Sequence, residues 1–249
     1  MKGVPLMINI KNITKYYNLS KAVDNITLDI PDGKIVGFIG ANGAGKSTTI
    51  KIITGIVEPD EGTVLLNGHD IKDPKQMIQA KKQFGYVPDE PNMFLRLKGI
   101  DYLNFICDIY EVPIGGRKQR IYDLCEEFRI TYALDERLAN YSHGMRQKIN
   151  IIAVLLCEPS IWILDEPMVG LDPEAAYILK KKMKEHAEKG NTVFFSTHII
   201  EVAYSLCDEL VIISHGHIIF QGTPDQLSMQ YPDSTPEDIL IKMIQGENE

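Results

Sequence analysis

Between a short apolar run and an apolar helical stretch stands GANGAGKS, Gly40 to Ser47, which fits Gly, four residues, Gly-Lys-Ser. Glycines at those places let the backbone curl so that its N–H groups point inward, where phosphate oxygens would sit. The dipole of the helix that begins there adds favourable potential for an anion. Lys46 brings a point charge to the β- and γ-phosphates, and the Ser47 hydroxyl is a ligand for Mg²⁺. A Gly-rich turn of purely structural purpose has no need of the Lys-Ser pair. A second acidic signal, IWILDEP (161–167), delivers Asp165 and Glu166 to the end of a buried strand, where ligands collect in open α/β sheets. Asp165 is placed to hold Mg²⁺, directly or through water, and Glu166 to polarise a water attacking the γ-phosphate. ATP suits the chain better than GTP, since no Asn-Lys-x-Asp run is present.

A third stretch, YSHGMRQKIN (141–150), opens a helix with Ser142 as N-cap and a stripe of Met145, Ile149, Ile152, Ala153 and Leu156 behind it. Its donor-rich start is either an ordinary cap or an anion-facing helix end.

The elements around these residues follow from periodicity. Ile8 and Ile10, then Ile26, Leu28 and Ile30, alternate as in half-buried strands, with a PDG turn after them. IVGFIG reads as a buried strand, followed by a helix from Lys46 that stops at Gly55, and TVLL forms a small β element. From 88 to 159 the pattern becomes helical, broken by VPIGG, and this segment reads as a helical subdomain inserted into an α/β body formed by 1–87 and 160–249. IWILD and TVFFS are further buried strands. The helix between them has Asp172 as N-cap, Pro173 at its first position and Gly190 past its end. Its stripe is Ala176, Leu179, Met183 and Ala187, so the KKKMK run reads as a solvated face. ELVIIS and HIIFQG pair across a two-residue turn, His215-Gly216; without a carboxylate cluster these histidines read as turn residues, not a metal pair. A short amphipathic helix opened by STPED closes the chain.

Composition sets outer limits. The 249 residues are 44% hydrophobic and 24% charged, as in a globular protein with a substantial core. A formal charge of −8 argues against a nonspecific grip on nucleic acid. Cys107, Cys125, Cys157 and Cys207 have no paired spacing, which points to a reducing compartment. The opening MKGVPLMINIKN lacks the apolar core of a signal peptide, and no window approaches the roughly 18–20 apolar residues of a membrane span.

Taken in order, GANGAGKST, YSHGM, ILDEP, VGLDP and STH resemble the ATP-binding cassette proteins, specifically the nucleotide-binding subunit of an ABC transporter, over essentially the whole chain. The resemblance implies a P-loop NTPase core of mixed sheet with an N-terminal antiparallel β element and an inserted helical subdomain. It implies ATP held by Gly40, Asn42, Gly43, Ala44, Gly45, Lys46, Ser47 and Thr48, and Mg²⁺ at Ser47, Asp165 and Asp89. In that family two cassettes pair head to tail. The signature usually written LSGGQ, here YSHGM, closes over the partner's ATP through Ser142 and Gly144; His143 and Met145 replace a Gly and a Gln. His143 either adds a donor to the phosphate or faces solvent. Tyr17 matches the aromatic that stacks on adenine, with Tyr16 the alternative. His198 matches the switch histidine that reaches the γ-phosphate, and Asp172 the loop that crosses between cassettes.

Asp89, in FGYVPDEP, stands where the family usually has Gln; being a methylene shorter, it reaches a metal through water. An acidic residue there inclines the reading toward export. Phe94 and Leu95 are either an exposed patch for a membrane subunit or core. The resemblance thus implies an ATPase with transmembrane permease subunits and a second cassette, identical or related, as partners, peripheral on the cytoplasmic face of the cell membrane. Two other readings are a soluble cassette ATPase of translation or DNA repair, and a regulatory module that binds ATP with little turnover. The single set of motifs without a heptad run speaks against the first, and Asp165, Glu166 and His198 against the second.

Overall fold

The computed structural model describes residues 6–91, 93–232 and 234–246, so residues 1–5 of the opening segment lie outside it. Strands β1 (Leu6–Tyr17) and β2 (Ser20–Pro31) pair antiparallel, and the register Ile8↔Ile30, Ile10↔Leu28 and Ile13↔Ile26 lines their alternating apolar residues into one buried layer. Strand β4 (Glu61–Leu66) pairs with the other side of β1, and β5 (His69–Asp70) completes a four-stranded antiparallel sheet. A second sheet contains β3 (Ile35–Ile39), β6 (Phe84–Val87), β7 (Ile161–Leu164), β8 (Thr192–Thr197), β9 (Glu209–Ser214) and β10 (His217–Gly222), in the order β10-β9-β3-β8-β7-β6. Five of its strands run parallel; β10 closes one edge antiparallel.

Its inner strands β3, β7 and β8 are buried on both faces, which is why they read as apolar runs. In β3, Val36 and Phe38 point into a core shared with the antiparallel sheet and α1 (Lys46–Ile53), while Ile35 and Ile39 point into a second core covered by helices. That cover comprises α3 (Gly99–Ile109), α4 (Arg117–Glu127), α5 (His143–Cys157), α6 (Pro173–Glu188) and α7 (Ile200–Leu206). Helices α3, α4 and α5, with 3₁₀ turns at Thr131–Ala133 and Leu138–Asn140, lie in sequence between β6 and β7. Helix α5 packs on α3, α4 and β6, so it is buried well beyond a single stripe: Gln147, Asn150 and Ile151 join Ile149, Ile152, Ala153 and Leu156. Met145, at its first turn, is only half-buried.

Several local expectations shift. In α6 the buried residues are Ala175, Leu179, Met183 and His186, in place of the expected Ala176 and Ala187, which are partly exposed. The face turns because the His186 ring stacks on Trp162 of β7 at 4.0 Å between centroids. Burial there pushes the His186 imidazole down to about 4. In the KKKMK run Lys181 and Lys184 are exposed, whereas Lys180 and Lys182 are half-buried, Lys182 paired to Glu127 of α4 at 3.0 Å. Helices α2 (Pro74–Gln83), α7 and α8 (Pro224–Gln230) were not anticipated, whereas α9 (Pro236–Gly246) follows the STPED start. The His215-Gly216 turn has φ of 45° and 84°, the left-handed pair that suits a two-residue hairpin. Phe94 and Leu95 are exposed, with Phe94 set edge-on against Phe105 of α3. Among the described residues no helix is long and apolar enough to cross a membrane.

Candidate active site

The phosphate loop runs from the end of β3 into α1 and is held from several sides. Gly45 has φ 110°, and a Cβ there would lie 2.5 Å from the Ala22 carbonyl oxygen of β2, so only glycine fits without displacement. Beside Ala22, the Gly216 amide, at the tip of the β9–β10 hairpin, donates to the Ala44 carbonyl at 2.9 Å. That hairpin therefore buttresses the loop, a role its sequence did not signal. Lys46 is buried; its Nζ donates to the carbonyls of Gly40 at 2.7 Å and Ala41 at 3.2 Å and lies 3.3 Å from Glu166 Oε1. Asn42 and Gly43 are exposed at the crest of the loop, with Ser47 and Thr48 half-buried at the helix start.

The acidic pair arrives on β7, separated from β3 by β8, and β8 supplies the clamp. Ser196 Oγ donates to Asp165 Oδ1 at 2.6 Å and accepts from the Glu166 amide at 2.9 Å. One hydroxyl thus fixes both residues, and Asp165 N donates to the Val87 carbonyl of β6 at 2.8 Å. Glu166 sits in the left-handed region at φ 45°, a conformation that turns its side chain out of the strand and into the site. Its Oε2 is 3.0 Å from His198 Nδ1. Glu166 is therefore flanked by the Lys46 ammonium on one side and an exposed imidazole on the other.

Ser47, Asp89 and Asp165 open onto one cavity of about 560 Å³, shared with Lys51, Tyr86, Tyr102 and Asn150. Burial raises the Tyr86 phenol well above its ordinary range, and the nearby Asp165 and Asp89 carboxylates add to that. Tyr86 stays neutral beside two acids, a neighbour that sequence reasoning passed over although it lies in FGYVPDEP. The oxygen donors of Ser47, Asp165 and Asp89 match the preference of Mg²⁺ for hard ligands. Among the described residues no three His, Cys, Asp or Glu side chains converge, and Mg²⁺ held chiefly by phosphate and water requires no such cage.

The remaining candidates lie further out. Tyr17 ends β1 and pairs with Ser20, two residues before the Ala22 that packs under Gly45, so both Tyr17 and Tyr16 stand exposed on the approach to the loop. The Tyr16 ring carries Lys21 Nζ 5.7 Å from its centroid, and its amide donates to Asp60. On α5, Ser142 Oγ accepts from the Met145 amide at 3.3 Å, as an N-cap does, and is exposed. Gly144 lies so near the Gly170 carbonyl that a Cβ would come within 2.4 Å of it, and the exposed His143 ring lies against Gly170. Asp172 caps α6 by accepting from Ala175 N at 2.9 Å and pairs with Lys148 at 2.6 Å, two contacts that hold its carboxyl below the usual range.

A phosphate loop behind one strand and an acidic pair on the next strand but one, under a parallel sheet, define a P-loop nucleoside triphosphatase core. The family model described as ABC transporter matches residues 23–169. The chain is similar to the ABC-type transporter ATP-binding protein EcsA of Bacillus subtilis (strain 168), at 33% identity over 239 residues, 95% of this chain and 96% of that protein. It is similar to the lipopolysaccharide export system ATP-binding protein LptB of Escherichia coli (strain K12), at 32% over 218 residues, 87% of this chain and 90% of that one. A solved structure of an ATP-binding subunit of an ABC transporter superposes with a TM-score of 0.88 at 32% identity, covering 95% of this chain and 99% of that chain. The chain belongs to the ABC transporter family, as an ATP-binding subunit with ATPase activity.

Proposed function

We propose that two copies of this chain, or this chain and a related one, pair head to tail around two ATP molecules and drive export through separate membrane-spanning subunits. In this reading the backbone amides of 40–48 wrap the phosphates, Lys46 neutralises the β- and γ-oxygens, and Tyr17 stacks on the adenine. Glu166 accepts the proton of the attacking water, and His198, bonded to Glu166, reaches the γ-phosphate. Mg²⁺, held by Ser47 and Asp165 and through water by Asp89, supplies charge neutralisation when bound. Ser142 and Gly144 close over the nucleotide of the opposite chain, and Asp172 belongs to the loop that crosses between chains. Pairing is favoured by ATP to the extent that those contacts exist only in the closed form.

The observation that carries the reading is a division within one chain. Glu166 lies 3.3 Å from Lys46 and 3.0 Å from His198, while Ser142 caps the exposed start of α5 on the inserted helices. The acidic Asp89 and the export named for LptB support the direction. The membrane partners would hold the protein at the cytoplasmic face, with the exposed Phe94 and Leu95 part of that contact; no role for nucleic acid follows from a net charge of −8. The test is Glu166→Gln. Turnover should fall by about 10²–10⁴-fold, and light scattering should show a dimer with ATP. Wild-type hydrolysis, or a monomer at saturating ATP, would defeat the proposal. Purification of tagged chain from solubilised membranes should bring down a multi-span protein; a clean soluble dimer, ribosomes or DNA would leave the ATP chemistry and remove the transport role.

A further inference from the structure

Helix α5 touches the 167–172 loop along one of its own faces, at positions spaced i, i+3 and i+4. Gly144 meets the Gly170 carbonyl, Gln147 Nε2 donates to the Pro167 carbonyl at 3.4 Å, and Lys148 Nζ lies 2.6 Å from Asp172 Oδ2. The three contacts differ in kind. The first is a van der Waals approach of two backbones. The second is long and neutral. The third is a charge-assisted bond between a lysine only 13% exposed and a carboxylate whose other oxygen already caps α6. The packed lysine stem has little freedom to aim elsewhere. The loop it grips begins one residue after Glu166, whose carbonyl accepts from Val169 N at 3.1 Å.

We propose that Lys148 is a positioning residue for ATP turnover: its ion pair with Asp172 makes the Ser142–Gly144 turn and the loop following Glu166 move as one body. Without the ion pair, α5 and the loop keep the packing of Gly144 and His143 on Gly170 and one long neutral bond from Gln147, none of them charge-assisted. This rests on the reading that the turn closes over the ATP of a second chain. Closure of the turn over one nucleotide and alignment of the loop beside Glu166 of the same chain then become a single event. Lys148 touches no reacting atom in this scheme; it acts through Asp172.

Two variants isolate the ion pair. Lys148→Met keeps an unbranched stem and deletes the charge; Asp172→Asn deletes the charge and keeps an oxygen to cap α6. Steady-state kinetics on the full chain should show kcat reduced roughly tenfold or more in each, with KM for ATP changed less than about twofold. The double variant should be no slower than the slower single, because both remove one interaction. Lys148→Arg should recover most of the lost kcat. A merely structural lysine would lower the unfolding midpoint and leave kcat of the folded protein unchanged. That outcome, additive losses in the double variant, or failure of Lys148→Arg to recover activity would overturn the proposal. Should Lys148→Met fail to fold, Lys148→Gln, which also deletes the charge but keeps a polar stem, carries the test in its place. ATP-driven pairing of Glu166→Gln, measured in parallel by light scattering, keeps the two claims separate. If that variant pairs while Lys148→Met turns over normally, only the role of Lys148 falls; if it stays monomeric, the paired-cassette reading falls first.

Discussion

The phosphate loop and the Ser142–Gly144 turn are both helix N-termini built to present donors, yet they are held in opposite ways. The loop is braced at its base and folded on itself: Ala22 of β2 beneath Gly45, Gly216 against Ala44, and Lys46 folded onto the carbonyls of Gly40 and Ala41. The turn is supported by Gly170 beside Gly144, while Ser142 and His143 stand exposed, and the Ser142 hydroxyl makes its cap bond at 3.3 Å. A ligand cradle must be rigid before the ligand comes, because ordering it at the moment of binding would subtract from affinity. A surface that completes a site elsewhere must be carried accurately but left open. The difference between the two ends is thus a difference in what each waits for.

Changes at each end should separate these roles. Gly45→Ala sets a Cβ against the Ala22 carbonyl at φ 110°; ATP affinity measured by nucleotide titration should fall on the order of a hundredfold. A loop that tolerates the methyl with unchanged affinity would show that it is not rigid, and the comparison would break there.

His186 tests the seam between α6 and the sheet. Its folded value of about 4 lies below the ordinary 6.5, so between those values the unfolded chain binds more protons. The stability this group contributes is present above pH 6.5 and lost as pH falls toward 4. Between pH 7 and 5 that loss is about 2 kcal/mol. His186→Phe keeps a ring on Trp162 and should flatten that part of the pH dependence in denaturant titrations; an unchanged slope would remove His186 as its source.

The smallest change belongs to the exposed turn. Ser142→Ala deletes a cap worth about 1 kcal/mol. It should slow turnover roughly tenfold at high ATP while leaving ATP binding to the isolated chain unaltered. Weakened binding to the isolated chain would mean that the turn serves its own nucleotide after all.

Much of this arrangement was legible because chemistry and periodicity coincide in it. A strand buried on both faces shows as an apolar run, so IVGFI, IWIL and TVFFST stood out, and each of β3, β7 and β8 ends beside a candidate site residue. Helix α2 was missed because Ala80 is its one buried residue, leaving no stripe, although Asp73 and Pro74 mark its start. Helix α8 has a full capping box, Thr223 with Gln226, but only seven residues and one buried side chain, too short for a period to emerge. The rotation of α6 escaped because alanines sit at both 175 and 176, and only contact with Trp162 chooses between them. In the site, residues that act by their own chemistry were visible, whereas those that act by bracing others were not. Ser196, two positions before His198, and Lys148, six after Ser142, are defined by partners distant in sequence or on another element.

Trp162 is the chain's sole tryptophan, and it stacks on His186 three residues before Asp165. It also borders a cleft whose other walls are Arg120, Glu127 and Lys182, from α4 and α6. The molecule therefore carries a built-in optical gauge: any shift of α4 against α6 changes the indole's surroundings, and its emission reads that shift out in the unlabelled protein.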